Sequence, residues 1–142
     1  MGTVYMRKSP LGVLIGFIGM LIMVAIMATC SESESSMYSD VKNSKDYGRW
    51  YECTKYLDKY PNSKHSKEVS DIFYIEMKKE GKVDRIYKYG QKYSDLPIGR
   101  RLKDLAYELA ILQNNSIIWD KYIEVAEPED INNAYEYREN SN

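Results

Sequence analysis

The chain has 142 residues, with 20 Lys and Arg against 21 Asp and Glu and a formal net charge of −1. Two of the basic residues, Arg7 and Lys8, lie in an apolar leader, so the remainder is mildly acidic and carries no basic surface of the kind nucleic acid needs. Two cysteines and one histidine are too few for a disulfide framework or a histidine-based metal centre, and the roughly 110 residues beyond the leader suffice for one small core.

The leader comes first in the chain. Arg7 and Lys8 precede an uncharged run, Leu11 to Thr29, which ends on Cys30 and gives way to Ser31-Glu32-Ser33-Glu34-Ser35-Ser36. As a helix the run covers roughly 28 Å, close to the thickness of about 30 Å of a bilayer's hydrocarbon core. Basic residues before the run and acidic ones after it predict that the C-terminal part is translocated. Met27-Ala28-Thr29-Cys30 resembles the lipobox of bacterial lipoproteins, with Thr29 where that family carries Gly, Ala or Ser. The resemblance implies a signal peptide cut before Cys30 and lipidation of Cys30 by acyl chains of the palmitate type. Several such chains anchor a protein stably where one does not. With Ser31 after the cysteine, the resemblance implies an outer membrane or the cell surface. The other reading leaves the run uncut as a single-span anchor. Either way the rest of the chain is expected in the cell envelope, membrane-anchored and facing away from the cytoplasm. The predicted organisation is 1–29 signal or anchor, 30–43 lipidated cysteine and polar Ser/Glu tether, and 44–142 a helical repeat domain.

Within the repeat domain the predicted helices run over Ser44–Tyr60, Lys64–Lys79, Lys82–Tyr93, Pro97–Gln113, Ser116–Ala126 and Pro128–Glu139. Pro61 stops the first, and Asn62-Ser63 offers a turn and a cap for the second. Gly81 suits the left-handed residue that ends a helix. Pro97 and Pro128 suit first-turn positions, and Glu129 and Asp130 then sit near the positive end of a helix dipole. Asn114-Asn115 makes a tight turn. Val69, Ile72, Phe73 and Ile75-Glu76-Met77 mark one apolar stripe. Leu102, Leu105, Ala106, Leu109, Ala110 and Leu112 mark the strongest, which predicts that this helix is the centre of the core. Period-two alternation is absent, so the fold class is all-α.

A spacing of 33 runs through these helices. Lys55-Tyr56 recurs as Lys88-Tyr89 and Lys121-Tyr122; Cys53, Ile86 and Trp119 fall in register, as do Val69, Leu102 and Tyr135. Helix pairs of this length, with Tyr60-Pro61-Asn62-Ser63 closing one helix and opening the next, resemble tetratricopeptide repeats and the linkers of repeat lipoproteins of the outer-membrane β-barrel assembly type. The resemblance covers about residues 44–139, although the family's Trp-Leu-Gly-Tyr series is not present in order. It implies a short right-handed array of tetratricopeptide-like helical hairpins with a concave binding face.

The chain has 14 tyrosines against two Trp and two Phe. Tyr56, Tyr60, Tyr89, Tyr93 and Tyr122 recur at the repeat spacing, and they are the candidate partner-binding residues; the competing reading packs Tyr56, Tyr89 and Tyr122 in the seams between hairpins. His65 reads as an exposed helix-start residue, and Cys53, Trp50 and Trp119 as core. No Gly-framed nucleophile turn or phosphate loop occurs, so neither an enzyme, nor a cofactor or metal, nor a small-molecule substrate is expected. The expected function is a membrane-tethered, non-catalytic module binding an envelope protein or peptide. The alternative is an accessory lipoprotein acting as a spacer in an assembly or transport system.

Overall fold

The computed structural model describes residues 32–45 and 48–141. The leader and Cys30 lie outside them. The chain divides at Ser33/Glu34, and every described helix belongs to the unit Glu34–Asn142. Among the described residues seven α-helices follow in order: α1 Glu34–Asn43, α2 Arg49–Lys59, α3 Ser66–Glu80, α4 Val83–Lys92, α5 Pro97–Gln113, α6 Ser116–Val125 and α7 Ala134–Asn140, with a 3-10 turn at Pro128–Asp130. No strand occurs among the described residues, so the fold is all-α.

The helix ends follow from local chemistry. α3 ends at Gly81, which has φ +67° and donates its N–H to Met77 O (3.1 Å). A side chain is strained in that left-handed conformation, and glycine is not. One spacing later Asn114 ends α5 with φ +39°, and Asn115 Oδ1 accepts the Ile117 N–H (2.8 Å) to start α6. Pro97 opens α5 at a position where its missing N–H costs nothing. The Ser63–Ser66 turn is closed by Ser66 Oγ, which donates to Tyr60 O (2.6 Å) and accepts the Ser63 N–H (2.8 Å).

Consecutive helices pack as α1 on α2, α2 on α3, α4 on α5 and α6 on α7, while α3 meets α5 and α4 meets α6. Cys53, Ile86 and Trp119 are all fully buried, as are the pairs Val69 and Leu102, Phe73 and Ala106, and Met77 and Ala110, each pair 33 apart. The residues that close α2, α4 and α6 (Tyr60, Tyr93, Ala126) share the same spacing. α5 is central, touching α3, α4 and α6. Its contact with α4 is backbone on backbone: a Cβ on Gly99 would lie 2.8 Å from Gly90 O, and one on Gly90 would lie 3.0 Å from Gly99 O.

Several expectations are corrected. The described part of the tether is not a solvated linker, because Glu34–Asn43 is a helix that buries Met37 and Val41. Two apolar residues four apart give a Ser- and Glu-rich segment one face to bury. The first long helix begins at Arg49 rather than Ser44. Pro128 opens a single 3-10 turn instead of a helix, since Tyr87 Oη accepts the Glu127 N–H (2.9 Å) and donates to the Asp130 carboxylate, which pins this connection. As a result α7 starts late and out of register: Ala134 is buried and Tyr135 is exposed. Ile75, Ile111 and Leu112 are exposed, so the apolar stripes of α3 and α5 are narrower than their composition suggests.

The spacing also records where the packing stops. Val83 and Tyr87 on α4 are buried, Tyr87 against Tyr122 and the Glu127–Asp130 connection, whereas the residues 33 further on, Ser116 and Asp120 on α6, are exposed.

Candidate functional site

The recurrent tyrosines act mainly within the chain. Tyr56 is fully buried, and its hydroxyl donates to Glu34 Oε1 (2.9 Å) and lies 2.6 Å from Ser63 Oγ. Tyr93 is buried at the end of α4, and its hydroxyl donates to Asp58 Oδ1 (2.8 Å), whose second oxygen accepts from Lys92 Nζ (2.7 Å). Tyr122 is buried beside Tyr87 (ring centroids 5.4 Å) and donates to Asp130 O (3.3 Å). The partner-binding assignment is therefore corrected for Tyr56, Tyr93 and Tyr122, whose faces are taken by their own neighbours. Tyr60 and Tyr89 are half-buried; Tyr89 stands between Trp50 (6.0 Å) and Phe73 (5.2 Å). Tyr38 repeats the motif, donating to Glu68 Oε2 (2.6 Å).

These phenol–carboxylate ties hold one helix to another and set the response to pH. Hydrogen bonds from Tyr56, from Lys42 and from Lys103 hold Glu34, Glu68 and Glu127, respectively, below the usual carboxylate range. The unfolded chain takes up these protons at higher pH than the folded one, so their contribution is present above about pH 4.5 and is lost as pH falls below it. Burial, reinforced by Asp130 and Asp58, pushes the Tyr87, Tyr122 and Tyr93 hydroxyls up. Here the unfolded chain ionises first, so stability is present below about pH 10 and is lost above it. Urea midpoints measured across pH should form a plateau with an acid edge below about pH 4.5 and an alkaline edge above about pH 10. Tyr87→Phe, which removes one of the raised phenols, should soften the alkaline edge.

The two single residues read from sequence find quiet places. Cys53 is fully buried, and desolvation pushes its thiol up to about 12. A protonated thiol is a poor nucleophile. Alkylation of the native protein at pH 8 should leave Cys53 unmodified, and alkylation in urea should modify it, as read by peptide mass spectrometry. His65 precedes α3 as expected, but it is half-buried and stacked on Tyr38 (3.9 Å, 11°), because α1 lies over it.

A groove of about 620 Å³ opens where the end of α1, the start of α2 and the end of α3 meet. Lys42, Lys45, Arg49 and Lys79 line it with Glu76 and Glu80, and the indole of Trp50 forms one wall. Lys42 is paired with Glu68 (2.7 Å) and Lys79 with Glu76 (2.8 Å). Glu80 is held by Arg85, whose guanidinium also lies 5.7 Å from the Trp50 ring. Lys45 and Arg49 have no carboxylate partner among the described residues; Arg49 Nε is spent on Val41 O (3.1 Å), which fixes its stem. The groove thus offers two cations with no carboxylate partner among the described residues, beside a half-buried indole, a combination suited to acidic groups carried next to an aromatic or apolar side chain. A second hollow of about 310 Å³ between α5 and the 3-10 turn has its Lys103 neutralised by Glu127.

The groove is not legible in the sequence, because the Ser- and Glu-rich composition of α1 reads as linker. Lys45, Arg49 and Trp50 look unremarkable until α1 and α3 bring their ends together around them. Among the described residues no group of His, Cys, Asp and Glu could hold a metal ion, and no helix is long and apolar enough to cross a membrane. Comparison with family models, with curated proteins and with solved structures returned no match.

Proposed function

We propose that this chain is a non-catalytic helical repeat module, tethered to a membrane of the cell envelope, that binds an envelope protein or peptide in the groove between α1, α2 and α3. The carrying observation is the groove: Lys45 and Arg49, with no carboxylate partner among the described residues, stand beside Trp50, while the buried thiol and phenols are protonated and committed to packing. Cations beside an indole suit the binding of acidic groups carried next to an aromatic or apolar side chain.

A right-handed, tetratricopeptide-like stack of hairpins accounts for the spacing of 33 shared by caps and core positions. Arrays of this sort present extended surfaces to partners. The tether rests on the sequence of the leader, whose run from Leu11 to Thr29 and Cys30 lie outside the described residues. In the lipoprotein form Cys30 carries the lipid; in the other form the run is an uncut anchor.

Crosslinking in intact envelopes with a photoreactive side chain at Lys45 tests the binding role. One reproducible protein adduct, lost on Arg49→Glu, is the expected result; a labelled chain with no adduct in its native membrane overturns it. Mass spectrometry of the mature N-terminus tests the tether: a diacylglyceryl Cys30 is expected, and an unmodified Met1 would remove the lipoprotein form.

A further inference from the structure

Charge is unevenly divided along the helical unit. Residues 34–92 hold 13 Lys and Arg against 10 Asp and Glu, whereas residues 93–142 hold 5 against 10. The basic half contains the groove. The acidic half ends in α7, whose Ala134 is buried against the chain while Tyr135, Glu136 and Glu139 are exposed. Tyr135 and Glu139 are four residues apart on one face of the helix. Neither Glu136 nor Glu139 forms an ion pair among the described residues, since Arg138 is taken by Asp120.

We propose that the groove receives α7 of a second copy of this chain, Tyr135 lying against Trp50 and Glu136 and Glu139 facing Arg49 and Lys45. This rests on the reading above that the groove is a protein-binding surface, and it names the partner. The two surfaces are complementary in charge and each carries one accessible aromatic ring. They are different patches of one molecule, so the contact is head-to-tail and leaves a free groove at one end of each pair and a free α7 at the other. Copies can therefore add in a row.

A helix of seven residues covers far less than the roughly 1,200–2,000 Å² of a stable interface, so the contact is weak between free molecules. Confinement to a membrane raises the effective concentration and favours it. The attraction is largely electrostatic and weakens with salt.

The test uses the full chain in phosphatidylcholine vesicles, with donor and acceptor dyes at the C-terminus of separate copies. Energy transfer above the level of randomly placed anchors is expected at low salt, falling roughly fivefold in 0.5 M salt. Lys45→Glu with Arg49→Glu should abolish it, and so should Glu136→Lys with Glu139→Lys. A chain carrying all four reversals should recover transfer to within about twofold of the native chain, which a merely misfolded variant would not do. Transfer at the random level in the native chain, transfer indifferent to either pair of reversals, or failure of the fourfold swap to restore it would each overturn the proposal. An adduct to a different protein at Lys45 together with random transfer would leave the binding role standing and remove the second copy as its partner.

Discussion

Gly99→Ala should lower the unfolding free energy by about 2 kcal/mol, although alanine is the better helix former. At an open site in a helix the exchange gains about 1 kcal/mol. At Gly99 the new methyl would press on Tyr93 O and stand 2.8 Å from Gly90 O, so backbone rather than a yielding side chain has to move. Relief requires α4 and α5 to separate, and α5 is the helix that α3, α4 and α6 all share. Gly48→Ala is the control, because nothing lies within 4 Å of a Cβ there and little change is expected. Urea unfolding followed by far-ultraviolet circular dichroism measures both, and equal midpoints for the two variants would show that α4 and α5 do not touch as described.

Trp119→Ala should be still more damaging, at about 3–5 kcal/mol. Trp119 is fully buried, packed edge-on against Tyr107 (5.9 Å) and Tyr122 (5.8 Å) and stacked on Tyr137 (5.2 Å, 11°). It joins α6 to α5 and α7, so its removal leaves a cavity lined by three rings. A domain of this size has only about 5–15 kcal/mol of stability in total, so much of the population should unfold. Trp119→Phe separates ring from polar group. The indole N–H is buried with no acceptor among the described residues, and an unsatisfied buried donor costs about 1–3 kcal/mol. Phenylalanine removes that cost along with part of the ring, so the net loss should be about 1 kcal/mol or less. If the Phe variant is as unstable as the Ala variant, the N–H has a bonding partner and the argument fails. Trp50 remains in both variants as a fluorescent reporter of folding.

How much of this was legible depends on range. Helix class and most boundaries follow from residues close in sequence: Gly81 and Asn114 mark left-handed ends, Pro97 marks a start, and the run Leu102–Ala110 marks the buried face of α5. The spacing of 33 was legible because side chains in corresponding places must satisfy similar neighbours, and it located Cys53, Ile86 and Trp119 in the core. What failed depended on partners far along the chain. Met37 and Val41 look solvated until α2 stands beside them. The late start of α7 follows from a phenol forty residues earlier in the chain, Tyr87, which holds the backbone at Glu127. The tyrosines drew attention as contact residues, but a ring with a hydroxyl at its tip serves equally well inside, provided a carboxylate waits at the next helix, and spacing alone does not reveal that. The groove was invisible for the same reason, being made of three helix ends that meet only in space.

The replacement of Val83 and Tyr87 by Ser116 and Asp120 has a consequence for how such a chain could grow. A further unit packed in the manner of the earlier ones would meet two polar side chains at α6, one of them already paired with Arg138 of α7. Restoring the oily pair there would expose apolar surface beside α7, ready to accept another helix or to clump.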